Sequence, residues 1–132
     1  PRTLSRLSQF GLLDRLEAQP GIRRLAPLSY LPFLGLVARS RLVLTDSGGI
    51  QEETTVLGIP CITMRANTER PITCAIGTNV LVGADPARIR EAALAALEGR
   101  SRPSAVPEKW DGKAAERIVE IIVRILDKSK NS

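Results

Sequence analysis

Residues 42–53, LVLTDSGGIQEE, join a short apolar run to two glycines and two acids. Residues 41–46 form a short run that is rich in branched, apolar side chains, which predicts a buried strand. Residues 48–57 are predicted to form a helix, because Gly58 follows at the position where a left-handed residue commonly ends one. The stretch therefore predicts a strand, a glycine turn and a helix, which is a unit of open α/β folds.

The same alternation continues on both sides of this unit. Helices are predicted over 4–18, with Gly11 as a weak point, over 30–39 and 71–76, from Asp85–Pro86 to Gly99, and after Asp111. Strands are predicted over 22–26, 60–64 and 79–82. Strands that alternate with helices of this length indicate βαβ units, so the predicted fold class is α/β, with a parallel sheet covered on both faces.

The composition excludes two kinds of partner. The 132 residues carry a net charge of +5 and are 43% hydrophobic, as in one globular domain. Basic residues are scattered and aromatic residues make up only 3%, so nucleic acid is not an expected partner. No apolar run reaches the roughly 18 residues that span a membrane, and the first ten residues lack the apolar core of a signal peptide.

The first residue, the absence of histidine and the two cysteines limit the chemistry of the chain and its cellular compartment. The first residue is Pro1, not Met, so we expect a fragment of a longer protein. Histidine is absent from the sequence, which excludes His-based catalysis and most zinc sites within these residues. Cys61 and Cys74 lie among apolar residues, as is typical of buried thiols in a reducing compartment such as the cytoplasm.

Ser47, Gly48 and Gly49 lie where the predicted strand delivers the chain to the rim of the sheet, the place where ligands bind in open α/β folds. The glycines allow close approach to the backbone. The free N–H groups and the dipole of the following helix favour an anion such as phosphate, and the Ser47 hydroxyl adds a donor. The pattern predicts a phosphate site.

Two acids, Glu52 and Glu53, follow one helical turn later. Glu53 is four residues beyond Gly49 and lies on the same face of the helix, where a carboxylate can accept hydrogen bonds from both hydroxyls of a ribose. Acids are also common early in helices. The alternative is therefore that both glutamates form a surface charge pattern.

Arg70 and Phe33 are two further candidates. Arg70 follows the next predicted strand and can donate charge-assisted hydrogen bonds to phosphate; the alternative is a surface arginine paired with Glu69. Phe33 lies near the start of a predicted helix and can stack against a base. The alternative for Phe33 is a core aromatic residue, the usual fate of phenylalanine.

Several linked motifs resemble those of non-hydrolysing UDP-N-acetylglucosamine 2-epimerases. They are DSGGIQEE at 46–53, LGIP at 57–60, RANTERP at 65–71, GTNVLVG at 77–83 and WDGKAAERI at 110–118. The opening PRT and LSYLPFL at 28–34 also fit. The resemblance implies that residues 1–132 are the Rossmann-like, UDP-binding C-terminal domain of the two-domain GT-B architecture, which these enzymes share with one large class of glycosyltransferases.

The resemblance also implies roles for seven residues. It implies that Ser47, Gly48 and Gly49 bind the diphosphate and that Arg70 contacts a phosphate. It also implies that Glu53 binds the ribose, that Phe33 stacks beside the uracil, and that the backbone of Leu28 contacts the uracil.

The implied reaction interconverts UDP-N-acetylglucosamine and UDP-N-acetylmannosamine by elimination and re-addition of UDP, with no cofactor. In the family, the catalytic carboxylates and histidine belong to the N-terminal domain and to the segment before the hinge between the two domains. No catalytic residue is therefore expected in this chain, which should be inactive alone. The implied partners are UDP or the UDP-sugar and that N-terminal domain, and the family allows a homodimer of the parent.

Two functions of other kinds stay open. The chain is also compatible with the donor-binding domain of a GT-B glycosyltransferase, although the TERP motif argues against it. A module that binds nucleotide sugars without catalysis is the second alternative.

Overall fold

The structure, a computed structural model, describes residues 2–101 and 103–130. Its elements, in chain order, are α1 (Arg2–Gln9), α2 (Leu13–Glu17), α3 (Tyr30–Val37), β1 (Val43–Thr45), α4 (Gly48–Leu57), β2 (Cys61–Thr63), α5 (Pro71–Ala75), β3 (Asn79–Leu81), α6 (Pro86–Leu97) and α7 (Ala114–Lys130). Two compact units divide the chain between Phe33 and Leu34, inside α3.

The second unit is built on a parallel sheet in the order β1–β2–β3. Val43 pairs with Cys61, which pairs with Asn79, and the register continues without a bulge to the ends of the strands. The connection from β1 to β2 is α4, and the connection from β2 to β3 is α5. The strands predicted over 41–46, 60–64 and 79–82 and their parallel order are therefore confirmed. The predicted burial of the first is wrong, because β1 lies at the edge of the three-stranded sheet and Leu44 is 44% exposed.

Helices cover both faces of this sheet. On one face, the Asn79 side chain hydrogen-bonds to Gln51 of α4 and to Thr73 of α5. Side chains alternate along a strand, so Ile62 and Val80 point to the other face. There they line a cavity of about 270 Å³ together with three alanines of α6, namely Ala92, Ala95 and Ala96.

Two helix boundaries follow the chemistry of their terminal residues. Gly58 ends α4 with φ 70°, the left-handed conformation that glycine adopts without a steric penalty. Asp85 begins α6 by accepting a hydrogen bond from the Ala87 N–H at 2.8 Å, and Pro86 occupies the first helical position. Both boundaries lie where the sequence predicted them.

The first unit differs from the prediction in two places. The helix predicted over 4–18 is split into α1 and α2, because Gly11 adopts φ 63°, which a continuous helix does not accommodate. The strand predicted over 22–26 is wrong, since these residues have no regular structure. A strand requires backbone partners on a neighbouring strand, and the described part of this unit contains helices and loops only.

The last helix begins three residues after Asp111, at Ala114. Asp111 still supports it, because its carboxylate accepts from the Lys113 N–H at 3.0 Å and forms an ion pair with Arg117. The Arg117 guanidinium, followed by the Lys113 N–H, lowers the pKa of the Asp111 carboxyl to about 2. The apolar side chains of α7 are exposed; examples are Ile118 at 56% and Ile125 at 61%.

None of the helices among the described residues combines the length and the apolar character that crossing a bilayer requires.

Gly77 has no room for a side chain among the described residues. A Cβ added there would lie 2.6 Å from Thr55 Cγ2 and 2.8 Å from the Thr73 carbonyl oxygen. Because overpacking of this kind displaces its neighbours, Gly77→Ala should lower the free energy of unfolding by roughly 1–3 kcal/mol. Urea denaturation followed by circular dichroism measures it.

The matched control is Gly35→Ala in α3, where an added Cβ meets no described atom within 4 Å. Alanine is the better helix former, so this variant should be as stable as the wild type or slightly more stable. Equal losses of stability in the two variants would contradict the packing assigned to Gly77.

Candidate functional site

The turn between β1 and α4 presents backbone donors without a side-chain cap. Ser47 precedes α4 in an extended conformation, with φ −85° and ψ 132°, and its hydroxyl makes no capping hydrogen bond to the helix. Its own N–H donates to Thr45 Oγ1 at 3.0 Å. The first N–H groups of a helix have no partner within the helix, so this end of α4 offers donors to an anion.

The two glycines that follow leave space in front of these donors. A Cβ added at Gly48 or Gly49 would meet no described atom within 4 Å. Packing within the described chain therefore does not require glycine at either position. The absence of side chains instead keeps the backbone open to close approach from outside.

One turn later, the carboxylate of Glu53 has an oxygen that is buried and lacks a hydrogen-bond partner among the described residues. A buried carboxylate oxygen without a donor costs free energy. A ligand hydroxyl that reached Oε2 would remove this cost, so Glu53 has the geometry of a binding residue more than of a surface charge.

The Arg70 side chain forms an ion pair with Glu52 of α4. Its Nε lies 3.0 Å from Glu52 Oε1, but the contact is ionic and lacks the alignment of a hydrogen bond. The predicted alternative, an ion pair with Glu69, does not occur; Arg70 Nη1 donates only to the Glu69 backbone carbonyl, at 3.3 Å. Both partners of the ion pair are about two-fifths exposed, so the pair is weak and a phosphate can compete for Arg70.

Leu28 and Phe33 belong to the first unit, whereas the other five predicted site residues belong to the second. Leu28 is exposed, with 45% of its surface accessible, in the loop before α3. Phe33 is half-buried in α3, where its N–H donates to the Ser29 carbonyl at 3.1 Å. The roles of both residues beside a base stay predictions.

A buried polar network, which the sequence pattern did not predict, lies behind the turn. Gln51 is fully buried and Asn79 is 1% exposed. Gln51 Oε1 accepts hydrogen bonds from Thr68 Oγ1 at 2.6 Å and from Asn79 Nδ2 at 2.9 Å. One signal was present, since Gln51, Thr54 and Thr55 put polar side chains at i, i+3 and i+4 on a helix that packs against the sheet.

Cys61 lies beside this network. Its Sγ is 3.9 Å from Thr63 Oγ1. Burial raises the pKa of the Cys61 thiol, against the smaller opposing effect of hydrogen bonds with Thr54 and Thr63. The thiol is therefore neutral and packs as a small apolar side chain.

Known proteins resemble nearly the whole of this chain. The family model described as UDP-N-acetylglucosamine 2-epimerase matches residues 1–123. The UDP-N-acetylglucosamine 2-epimerase of Methanocaldococcus jannaschii is 42% identical over 127 residues, which are 92% of this chain and 33% of that protein. The UDP-2,3-diacetamido-2,3-dideoxy-D-glucuronate 2-epimerase of Pseudomonas aeruginosa is 39% identical over 117 residues, 87% of this chain and 32% of that protein.

A crystal structure of the Methanocaldococcus jannaschii enzyme in complex with UDP-GlcNAc and UDP superimposes with a TM-score of 0.78 at 42% identity. The superposition covers 94% of this chain and 34% of that structure. The chain thus spans about a third of the length of the relatives it matches.

The network behind the turn can be tested by changing one atom. In Asn79→Asp, an oxygen replaces the Nδ2 group that donates to Gln51 and Thr73, and it brings a charge into a buried position. The free energy of unfolding at pH 7 should fall by at least about 2 kcal/mol. Thermal or urea denaturation gives the value.

Asn67→Asp is the matched control, because Asn67 is exposed in the loop after β2 and the same substitution there should change stability by less than about 0.5 kcal/mol. Similar values for the two variants would show that the hydrogen bonds of Asn79 do not stabilise the fold.

Proposed function

The chain belongs to the UDP-N-acetylglucosamine 2-epimerase family, and we propose that it is the UDP-binding, C-terminal domain of an enzyme that interconverts UDP-N-acetylglucosamine and UDP-N-acetylmannosamine. The observation that carries the proposal is the buried, unpartnered Oε2 of Glu53, one turn beyond an uncapped helix start. A nucleoside diphosphate satisfies both features at once, with phosphate at the helix start and ribose hydroxyls at the carboxylate.

The diphosphate binds at the turn before α4. Its oxygens accept hydrogen bonds from the N–H groups at Gly48 and Gly49 and from the Ser47 hydroxyl, which makes no cap to the helix. Arg70 gives up its weak, exposed ion pair with Glu52 for a charge-assisted contact with phosphate. Leu28 and Phe33 hold the uracil, a role taken from the family resemblance.

The chemistry starts with loss of the C2 proton of the sugar to a base, as the C1–O bond breaks and its electron pair moves to UDP. A 2-acetamidoglucal forms. UDP then adds back at C1, and a proton returns to C2 on the opposite face. The diphosphate gains negative charge when the C1–O bond breaks, and donors already aimed at it, from α4 and Arg70, lower the barrier.

The groups that move the proton lie in the rest of the parent protein. Histidine is absent from these 132 residues, and Glu53, whose Oε2 is buried, is engaged with ribose in this proposal. The N-terminal part of the parent closes over the sugar and supplies the acid and the base, while this chain retains UDP between the two steps. We place the parent in the cytoplasm, a reducing compartment in which a cysteine such as Cys61 persists as a thiol.

The identity of the sugar is the less constrained part of the proposal. The Pseudomonas aeruginosa relative is named for a UDP-sugar whose sugar is a diacetamido-dideoxy-glucuronate, while both names share the UDP group. A site for UDP on this chain agrees with both names, and the sugar is then selected by residues outside it.

The nucleotide site can be tested by titrating the 132-residue chain with UDP and with inorganic pyrophosphate, followed by amide NMR. We expect UDP to bind with a Kd of roughly 0.1 mM or weaker, because part of the site is missing. Glu53→Gln should weaken UDP binding about tenfold and leave pyrophosphate unchanged, since pyrophosphate has no ribose. Ser47→Ala should weaken the binding of both ligands.

Glu91→Gln, on the exposed side of α6, is the control and should bind both ligands like the wild type. Equal weakening of pyrophosphate and UDP by Glu53→Gln would contradict the ribose role. Nanomolar UDP binding by the wild type would show that this chain holds the whole affinity.

The fragment itself should not turn over. We expect no conversion of UDP-N-acetylglucosamine to its manno epimer by the purified chain, and we expect conversion by the full-length parent, with kcat lowered about a hundredfold by Arg70→Ala. Proton NMR of the anomeric signals measures both. Turnover by the chain alone would refute the division of labour, and transfer to an added acceptor sugar would indicate a glycosyltransferase.

A further inference from the structure

We propose that Thr68 is a positioning residue that fixes the backbone of Arg70 at the anion site, with buried Gln51 and Asn79 as its anchor. The inference rests on the proposed function, because the position of Arg70 matters only if Arg70 contacts a phosphate. Nothing in the resemblance gives a role to Thr68, Gln51 or Asn79.

The hydroxyl of Thr68 makes two hydrogen bonds of opposite sense. It donates to Gln51 Oε1 at 2.6 Å and accepts from the Arg70 backbone N–H at 2.9 Å. A hydroxyl has one proton, so donation to Gln51 leaves the oxygen lone pairs for the Arg70 N–H. The hydroxyl therefore links the main chain of Arg70 to a fully buried side chain of α4.

The carbonyl of Arg70 is held in the same manner by a second threonine. Thr73 Oγ1 donates to the Arg70 carbonyl at 2.7 Å and accepts from Asn79 Nδ2 at 3.1 Å. Asn79 also donates to Gln51 Oε1 at 2.9 Å. Both backbone polar groups of Arg70 thus end, through one hydroxyl each, on the buried amide pair of Gln51 and Asn79.

The anchor itself is fixed to the sheet. Asn79 lies on β3 and its Oδ1 accepts from Thr63 Oγ1 of β2 at 2.6 Å. Gln51 lies on α4, two residues after Gly49. The network therefore joins the strands, the helix that offers the phosphate donors and the loop that carries Arg70, and it sets the distance between the two parts of the anion site.

Arg70 needs this support because few contacts of its own side chain hold it in place. The side chain is about two-fifths exposed, and its ionic contact is with Glu52. A long side chain that is only partly buried keeps several rotamers, so the position of its Cα decides which atoms it can reach. Small displacements of a group that orients a substrate cost large factors in binding and rate.

The test compares Thr68→Val with Thr68→Ser in the 132-residue chain. Valine matches threonine in shape and lacks the hydroxyl, whereas serine keeps the hydroxyl and lacks the methyl group. We expect Thr68→Val to weaken UDP and pyrophosphate about fivefold or more, and Thr68→Ser to bind both within about twofold of the wild type. Amide NMR spectra of the same samples report whether each variant is folded.

The same substitution in the Arg70→Ala background separates positioning from general stability. If Thr68 acts through Arg70, Thr68→Val should cost less than about twofold in that background, because the group that it positions is already absent. A loss of the same size in both backgrounds would mean a general structural role and would overturn the proposal.

The remaining outcomes are also decisive. UDP binding by the wild type, with Thr68→Val unaffected, would overturn the positioning role and leave the nucleotide site in place. Failure of the folded wild type to bind UDP or pyrophosphate would overturn the proposed function, and this inference with it. If Thr68→Val is not folded, Thr68→Ala, which removes the hydroxyl without adding bulk, replaces it in the same comparison.

Discussion

The amide oxygen of Gln51 accepts hydrogen bonds from Asn79 and Thr68, and this buried junction constrains much of the second unit. Buried polar groups are costly unless they are paired, so the arrangement that satisfies Asn79 also decides how α4, β3 and the loop after β2 fit together. The apolar core is small in comparison: the buried hydrophobic residues among those described are Val37, Cys61, Ile62 and Val82. Directional hydrogen bonds therefore carry part of the structural specification that apolar packing carries in larger cores.

The junction also gives the proposed anion site, which has few side chains facing the ligand, a defined geometry. The donors before α4 are backbone groups, and their positions are those of the helix itself. Glu53 is in the same helix, and Arg70 is tied to it through hydroxyl groups and the buried amides. A rigid anion site is what the proposed reaction requires, because UDP has to stay bound while its bond to the sugar is broken and remade.

In the proposed function, the division between this chain and the rest of its parent follows from the chemistry. The chain spans about a third of the length of its relatives, and in the proposed function it supplies the groups that bind phosphate and ribose. Proton transfer at C2 requires an acid and a base on opposite faces of the sugar, which we assign to the remaining two thirds. Exposed apolar side chains along α7 show that part of the surface of this chain is not covered by the described residues.

Local patterns in the sequence determined the elements of the second unit and the position of the turn. The strand before Ser47, the bounds of α4, its end at Gly58 and the start of α6 at Asp85 all depend on residues within a few positions of one another, which is why periodicity and capping rules predicted them. Gly11 was recognised as a weak point, but its left-handed conformation, which splits the first helix, is not encoded in that pattern. The strand predicted over 22–26 failed because a strand exists only with a partner, and a sequence pattern does not show whether the partner is present.

Contacts between distant positions were decided by the tertiary structure alone. The sequence proposed Glu69 as the partner of Arg70, since it is adjacent, whereas the folded chain brings Glu52 there from eighteen positions away. Gln51, Thr68 and Asn79 lie in three separate segments, and each is an ordinary polar residue in its own neighbourhood. Hydrogen bonds of this kind form only after the sheet and its helices have packed and have brought these side chains close together. The sequence therefore identifies the residues, but only the tertiary structure decides which of them are hydrogen-bonded to each other.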